Sequence, residues 1–422
     1  MHRAACRILG NMLTFEQKLS NLAMLAVKVG VNLQEGQRLN LAGPIEAAEL
    51  MREISRIAYE AGSPLVRVTY TDGQQDLARA LYAREDTLDT VDMERVEANR
   101  VSMERGDALL RITGADPALM AAADPARVTR ITKAERQASQ ASSQLIQKSW
   151  MPWSIVAFAT PAWAARMFPE LPQDEAVSKL WDAIFQATRA DVEDPLAAWD
   201  DHLNMLSRAR EHLQSRGYSA LRLTGPGTDL RLGLAEKHLW ESGGLHSQKT
   251  GQFFVANMPT EEVFTAPHAS RVDGVISSSK PLSYQGQLID NFQLTFKDGA
   301  VVEAKAGQGE ALLNQLLDMD PGARRLGEIA LVPHESPISQ SGLLFFNTLF
   351  DENAACHVAL GRAYETCFED GANRSQESLK ADGFNDSMVH VDFMFGSSEL
   401  NVDGELPDGT LEPVMRGGAW SF

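Results

Sequence analysis

Three things are scarce in this sequence, and each scarcity narrows the reading. Cysteine occurs only three times in 422 residues, at Cys6, Cys356 and Cys367. So few and so scattered a set excludes a disulfide framework, and the odd count fits a reducing cytoplasm. Positive charge is also short: 39 Lys and Arg stand against 57 Asp and Glu, a formal net charge of −18. That balance argues against nucleic acid as the main partner, because a polyphosphate needs clustered Lys and Arg. It equally disfavours an anionic membrane surface. Long apolar runs are missing, and no stretch approaches the roughly 20 residues that span a bilayer. The first eleven residues, MHRAACRILGN, carry two Arg and no acid, but their apolar stretch is too short for a signal-peptide core. They read as a short tail, or as an upstream start with Met12 the functional beginning. What is present is ordinary globular composition, 44% hydrophobic and 23% charged. At roughly 100–200 residues per domain, two or three domains of a soluble cytoplasmic protein are expected.

The first half alternates strand and helix. Residues 37–42 (QRLNLA) alternate apolar and polar, and Gly43-Pro44 turns the chain. Residues 45–61 place Ile45, Leu50, Ile54 and Ile57 near the 3.6-residue period of an amphipathic helix. Gly62 is a plausible C-cap, and Pro64 opens the strand PLVRVTY. This is a βαβ unit, which implies a parallel pair with a right-handed crossover. Helix is expected again at 90–105 and 125–148, strand at 107–113 and 153–159, then helices near 161–167, 173–190 and 195–215. After Arg216-Gly217 the period changes to that of short strands: 219–224, 229–234, 275–279, 292–296 and 301–305. Lys297-Asp298-Gly299 offers a hairpin turn between the last two, and only 308–319 is convincingly helical. The expected fold is therefore an α/β N-terminal domain with a parallel sheet (12–217), followed by an α+β, β-rich C-terminal domain (218–422).

Chemistry concentrates in the second half. No G-x-G-x-x-G, G-x-x-x-x-G-K-[ST], G-x-S-x-G or H-E-x-x-H motif occurs in the first, and His202 and His212, in a charged helical stretch, read as solvated surface. In Val389-His390-Val391-Asp392-Phe393, period 2 sends His390 and Asp392 to one face and the apolar residues to the other. A buried carboxylate there needs a cation or dense hydrogen bonding; a His–Asp pair holding the sheet is the plain alternative. Glu352 and His357 stand in the acid-rich turn DENAACH, which by itself could be loop chemistry. Glu328 heads an apolar strand, and Glu261 and Glu262 follow a proline between apolar residues, where exposed turns or strand ends are the plain alternatives. Together these carboxylates and imidazoles suit one or two divalent ions of the Zn, Co, Mn or Mg type, without thiolate. Two such ions bridged by a carboxylate would activate a water and clamp a tetrahedral intermediate.

The stretches NMPTEEVFTAPH (257–268), Gly327-Glu328, NTLFDENAACH (347–357) and His390-Val391-Asp392 closely resemble the thermophilic-type metalloaminopeptidases, the family of aminopeptidase T and aminopeptidase S. The resemblance covers essentially the whole chain from Met12, and its C-terminal motifs are specific. It implies an N-terminal α/β domain followed by a metal-binding domain. Glu262, Glu328, Glu352, His357, His390 and Asp392 match the family's metal ligands, and Tyr364 matches an active-site tyrosine. The resemblance implies two divalent metal ions per chain, with Glu328 bridging them, and a peptide substrate with a free N-terminus. It also implies a homodimer. Tyr364 would donate a hydrogen bond to the oxyanion; without the family match it reads as a core tyrosine. Glu261 is a candidate for the substrate α-amine or for the general base, with an exposed structural role equally open. His268 is held as substrate-side or structural. Ala355, within ENAACH, departs from the pattern between ligand positions.

The function this implies is hydrolysis of the N-terminal peptide bond of short peptides. The alternative is a catalytically inactive, metal-stabilised peptide-binding scaffold. Glycoside hydrolysis by two carboxylates is a third reading, with no use for His390.

Overall fold

Strand and helix alternate before residue 217 as expected, and the strands pair in parallel. The computed structural model describes residues 13–422 apart from 115, 117, 118, 285 and 286, so the tail, Met12 and Cys6 lie outside the described residues. Strands β1 (Leu39–Pro44), β2 (Val66–Thr71), β3 (Ala108–Thr113) and β4 (Trp153–Ala157) form a four-stranded sheet in the order β2-β1-β3-β4. β1 buries Leu39 and Leu41, and the Ala48–Glu60 helix lays Leu50, Met51, Ile54 and Ile57 against them. That is the stripe the period predicts.

Local departures have local causes. Ile45 is exposed, because residues 45–47 form a 3₁₀ turn before the α-helix begins at Ala48. The 125–148 helix breaks at Ser139 into Pro125–Ala138 and Gln140–Gln147. Few of its residues are buried, so little tertiary packing holds it continuous. A further helix at Phe15–Leu25 opens with a Thr14–Gln17 capping box and buries Leu19, Leu22 and Leu25.

The Pro195–Arg216 helix ends at Gly217, which takes the left-handed conformation (φ 62°) of a helix stop. Beyond it the sheets among the described residues, of nine, five and two strands, are antiparallel. The largest includes Ala220–Gly225, Thr228–Leu234, Pro267–Ser277 and Gln287–Lys297. The expected Asp298-Gly299 hairpin joins the last of these to Ala300–Gln308, and both turn residues have positive φ (50° and 79°). The Glu310–Leu317 helix is present, as are short helices at Pro337–Ser341, Thr348–Asp351 and Gln376–Ala381 that the strand-like texture hid.

The five-stranded sheet, the smaller of the two large antiparallel ones, contains β5 (Val263–Thr265), β6 (Leu326–Leu331), β7 (His357–Gly361) and β8 (His390–Met394), ordered β8-β7-β6-β5 and edged by Glu241–Ser242. Val255, Met258, Ile338, Phe345, Leu349, Phe350 and Ala354, all later than 217, complete the core of the first half. Trp163 donates its indole N–H to the Phe345 carbonyl at 2.6 Å. The two halves therefore share apolar packing. Among the described residues no helix is long and apolar enough to cross a membrane.

Candidate metal centre

The smaller sheet collects the acidic and imidazole side chains on one face. Its register pairs Glu328 of β6 with Ala359 of β7, and Ala359 with Asp392 of β8. Directly paired residues share a face, as do residues two apart, so His357 and His390 join that row. The other face of β8 carries Phe393, packed edge-on against Phe292 at 5.0 Å between ring centroids. Alternation thus separates chemistry from core, as the H-V-D-F pattern predicts. Glu262 immediately precedes β5, the neighbour of β6, and Glu352 sits on a 3₁₀ turn (Glu352–Ala354) leading into β7.

Two groups of three potential ligands result, Glu262–Glu328–His357 and Glu328–His390–Asp392, each with donor atoms within 4.8 Å of one another. Glu328 belongs to both. Its Oε1 lies 3.6 Å from His357 Nε2 and its Oε2 lies 3.5 Å from His390 Nε2. His357 Nε2 is 3.3 Å from Glu262 Oε2, and His390 Nε2 is 3.4 Å from Asp392 Oδ1.

Each imidazole is oriented from behind. His357 Nδ1 is 3.2 Å from the Ala355 carbonyl and His390 Nδ1 is 2.7 Å from the Arg362 carbonyl. A carbonyl only accepts, so each Nδ1 carries hydrogen and each Nε2 faces the carboxylates. That is the arrangement in which a neutral imidazole offers Nε2 to a metal while a partner fixes its tautomer.

The electrostatics call for a cation. Burial, together with the neighbouring Asp392 and Glu262 charges, pushes the Glu328 carboxyl up, against the pull of His357. Burial and the same crowd of carboxylates raise Glu352 well above the usual range. Burial opposes the charged form of both imidazoles, yet the carboxylates outweigh it. Glu262 and Glu328 hold His357 well above its ordinary value, and Asp392 lifts His390 to about 9. Burial works against the Asp392 carboxylate, but His390 outweighs it and keeps that group low. Glu328 Oε2 and Asp392 Oδ1 are buried with no hydrogen bond, although each has an imidazole nitrogen within ion-pair range. Unsatisfied buried carboxylate oxygens are costly. Divalent cations supply what this donor set lacks, and oxygen and imidazole donors suit them.

Of the other residues singled out in the sequence, Tyr364 stands at the rim, 47% exposed, with its ring 4.7 Å from that of His390. Partial burial and the charges of Glu328 and Asp392 raise its hydroxyl well above the ordinary value, so it stays protonated and able to donate. Glu352 is outside the two groups of three, but its charge interacts with Glu262, Asp392 and His357. His268 is half-buried and accepts the Ser270 backbone N–H at Nδ1 (3.1 Å).

Three expectations need correction. His202 is 5% exposed rather than solvated, with Nε2 2.7 Å from the Thr260 carbonyl. His212 is half-buried, stacked on Phe422 at 3.8 Å between ring centroids. Glu261 is neither exposed nor free to act as a base: it is 1% exposed and both its oxygens accept from Arg189. Sequence reasoning missed Arg189 and Asn353, and no local pattern marks either. The one available signal was that a second buried Glu beside Glu262 requires a cation of its own.

A family model described as thermophilic metalloprotease (M29) matches residues 15–420. The chain belongs to the M29 family. Aminopeptidase 2 of Geobacillus stearothermophilus is 46% identical over 408 residues, covering 97% of this chain and 98% of that protein. Aminopeptidase AmpS of Bacillus subtilis is 41% identical over 409 residues, covering 97% and 100%. The solved structure of wild-type AmpT from Thermus thermophilus superposes with a TM-score of 0.91 at 44% identity, covering 97% of this chain and 100% of that one. The M29 chain is thus a hydrolase of the metalloaminopeptidase class, and the resemblance read from the motifs holds.

Proposed function

We propose that this M29 enzyme removes N-terminal residues from short peptides at a site of two divalent metal ions. Glu262, Glu328, Glu352, His357, His390 and Asp392 are the ligands in this reading. The observation that carries it is the division of Glu328, one oxygen facing each imidazole. A carboxylate so placed is suited to bridge two cations. Zn, Co, Mn and Mg all suit the oxygen and nitrogen donors. Ions bound there supply Lewis acidity to a water and to the scissile carbonyl.

The chain's own groups do the rest. The Ala355 and Arg362 carbonyls hold His357 and His390 with Nε2 forward. Tyr364 keeps its proton and donates a hydrogen bond to the oxyanion of the tetrahedral intermediate, a contribution worth about 3 kcal/mol at a pre-organised site. Its exposure leaves the rim open to substrate.

By the same reading, residues 218–422 form the metal-binding unit and 12–217 an α/β unit that supports it. The names of the relatives support the aminopeptidase activity. A homodimer is part of the proposal, and the exposed Val68 and Tyr70 on edge strand β2 are candidates for its contact. We also place the enzyme in a reducing cytoplasm, supported by the unpaired, buried Cys356 and Cys367.

The test is Glu328→Gln assayed on leucyl- and arginyl-anilides. Loss of hydrolysis is expected, and full activity would sink the assignment. Bound metal without turnover in the unaltered protein would instead identify the inactive scaffold.

A further inference from the structure

Four of the six proposed ligands stand on strands, whose ladders fix them: Glu328, His357, His390 and Asp392. The other two do not. Glu262 precedes β5 and Glu352 lies on a single 3₁₀ turn. Side chains on such segments are placed less accurately than those on strands unless a supporting shell fixes them.

A largely buried cluster behind the site supplies that shell. Arg189 follows the Gln173–Ala187 helix and holds φ at 57°, a left-handed conformation that is uncommon for a non-glycine residue. Its guanidinium forks onto Glu261, Nη1 to Oε1 at 2.7 Å and Nη2 to Oε2 at 3.0 Å. Nη2 also lies 3.1 Å from His202 Nδ1. Arginine only donates, so that nitrogen accepts and His202 Nε2–H donates to the Thr260 carbonyl at 2.7 Å. Trp199 ties its indole N–H to the Thr188 carbonyl at 2.7 Å, one residue before Arg189. From the opposite side Asn353, fully buried, accepts the Glu261 backbone N–H at 2.7 Å and donates to the Leu349 carbonyl at 3.1 Å. Glu261 neighbours Glu262, and Asn353 neighbours Glu352. One hydrogen bond therefore joins the two segments that carry the unsupported ligands, and one ion pair ties that junction to the first half of the chain.

We infer that Arg189 and Asn353 are positioning residues that hold Glu262 and Glu352 at the metal centre through Glu261. The inference rests on the proposed ligand roles of Glu262 and Glu352. A stabilising role alone accounts poorly for the ion pair, since well-packed apolar side chains of similar volume commonly match or exceed a buried pair in stability. What they lose is the fixed planar fork.

The experiment titrates metal-stripped, full-length protein with Co²⁺, followed by the visible absorption of bound cobalt, alongside the thermal midpoint of the metal-free state. The variants are Arg189→Lys, Asn353→Ala, the double change Arg189→Met with Glu261→Met, and Glu328→Gln. The double change removes both charges of this largely buried pair, so its fold is expected to survive with a midpoint close to the parent's. Its Co²⁺ affinity should still fall about 10–100-fold, the usual cost of losing an outer-shell partner. Arg189→Lys, which keeps the charge and loses the fork, should fall in between. Parental Co²⁺ affinity in the Arg189 and Asn353 variants, with loss in Glu328→Gln, overturns the clamp alone. Parental affinity in Glu328→Gln as well overturns the metal centre, and the clamp with it.

Discussion

Glu328 and Asp392 lie in one cross-strand row with only the methyl group of Ala359 between them. Ala359 is fully buried, and a larger residue there would project into the space that the two carboxylates share. Ala359→Leu should therefore cost about 1–3 kcal/mol of stability from overpacking. It should also lower bound metal well below that of the parent in elemental analysis. Unchanged metal content in a folded variant would show that the row does not face the ions.

Removal of metal should have a pH signature of definite sign. In the metal-free protein Asp392 raises His390 from 6.5 to about 9, and Glu262 and Glu328 outweigh burial to hold His357 well above its ordinary value. A folded pKa above the unfolded one contributes stability that is complete below pH 6.5 and is lost as pH rises through the folded value. The metal-free melting midpoint should accordingly fall between pH 7 and pH 9. Metal ligation displaces those same protons, so the affinity for added Co²⁺ should rise over this interval by about tenfold per pH unit for each proton released. Affinity independent of pH would mean that the imidazoles do not ligate.

Tyr364→Phe separates binding from chemistry. The residue is 47% exposed and touches His390 only through its ring, so the variant should fold and keep its metal. Loss of one oxyanion donor should lower kcat about 10²–10³-fold with KM little changed. An equal loss of metal content would assign Tyr364 to the metal shell instead.

Much of this was legible from the sequence because period carries it. Alternation in VHVDF separates the His390–Asp392 face of β8 from Phe393, and the Leu50–Ile54–Ile57 stripe locates the helix beside β1. The family motifs hold every ligand candidate, since each is a short run of neighbouring residues. What the sequence could not display is contact at a distance. Arg189 reaches Glu261 across 72 residues, and His202 reaches Thr260 across 58, so a helix that looks charged and solvated turns its histidine inward. The break in the weakly packed 125–148 segment is invisible in the sequence for a related reason. The 125–148 segment has helical propensity but few buried residues, and tertiary packing rather than propensity decides where such a helix breaks.

On the two-metal proposal, this chain hydrolyses peptides only with divalent ions held by the Glu328-centred face. Stepwise return of Co²⁺ or Zn²⁺ to chelator-stripped protein, with leucyl-anilide hydrolysis and bound metal measured at each addition, tests it most directly. No activity is expected at zero metal and full activity as bound metal approaches two ions per chain, with neither restored in Glu328→Gln. Full hydrolysis by metal-free protein in excess chelator would contradict it.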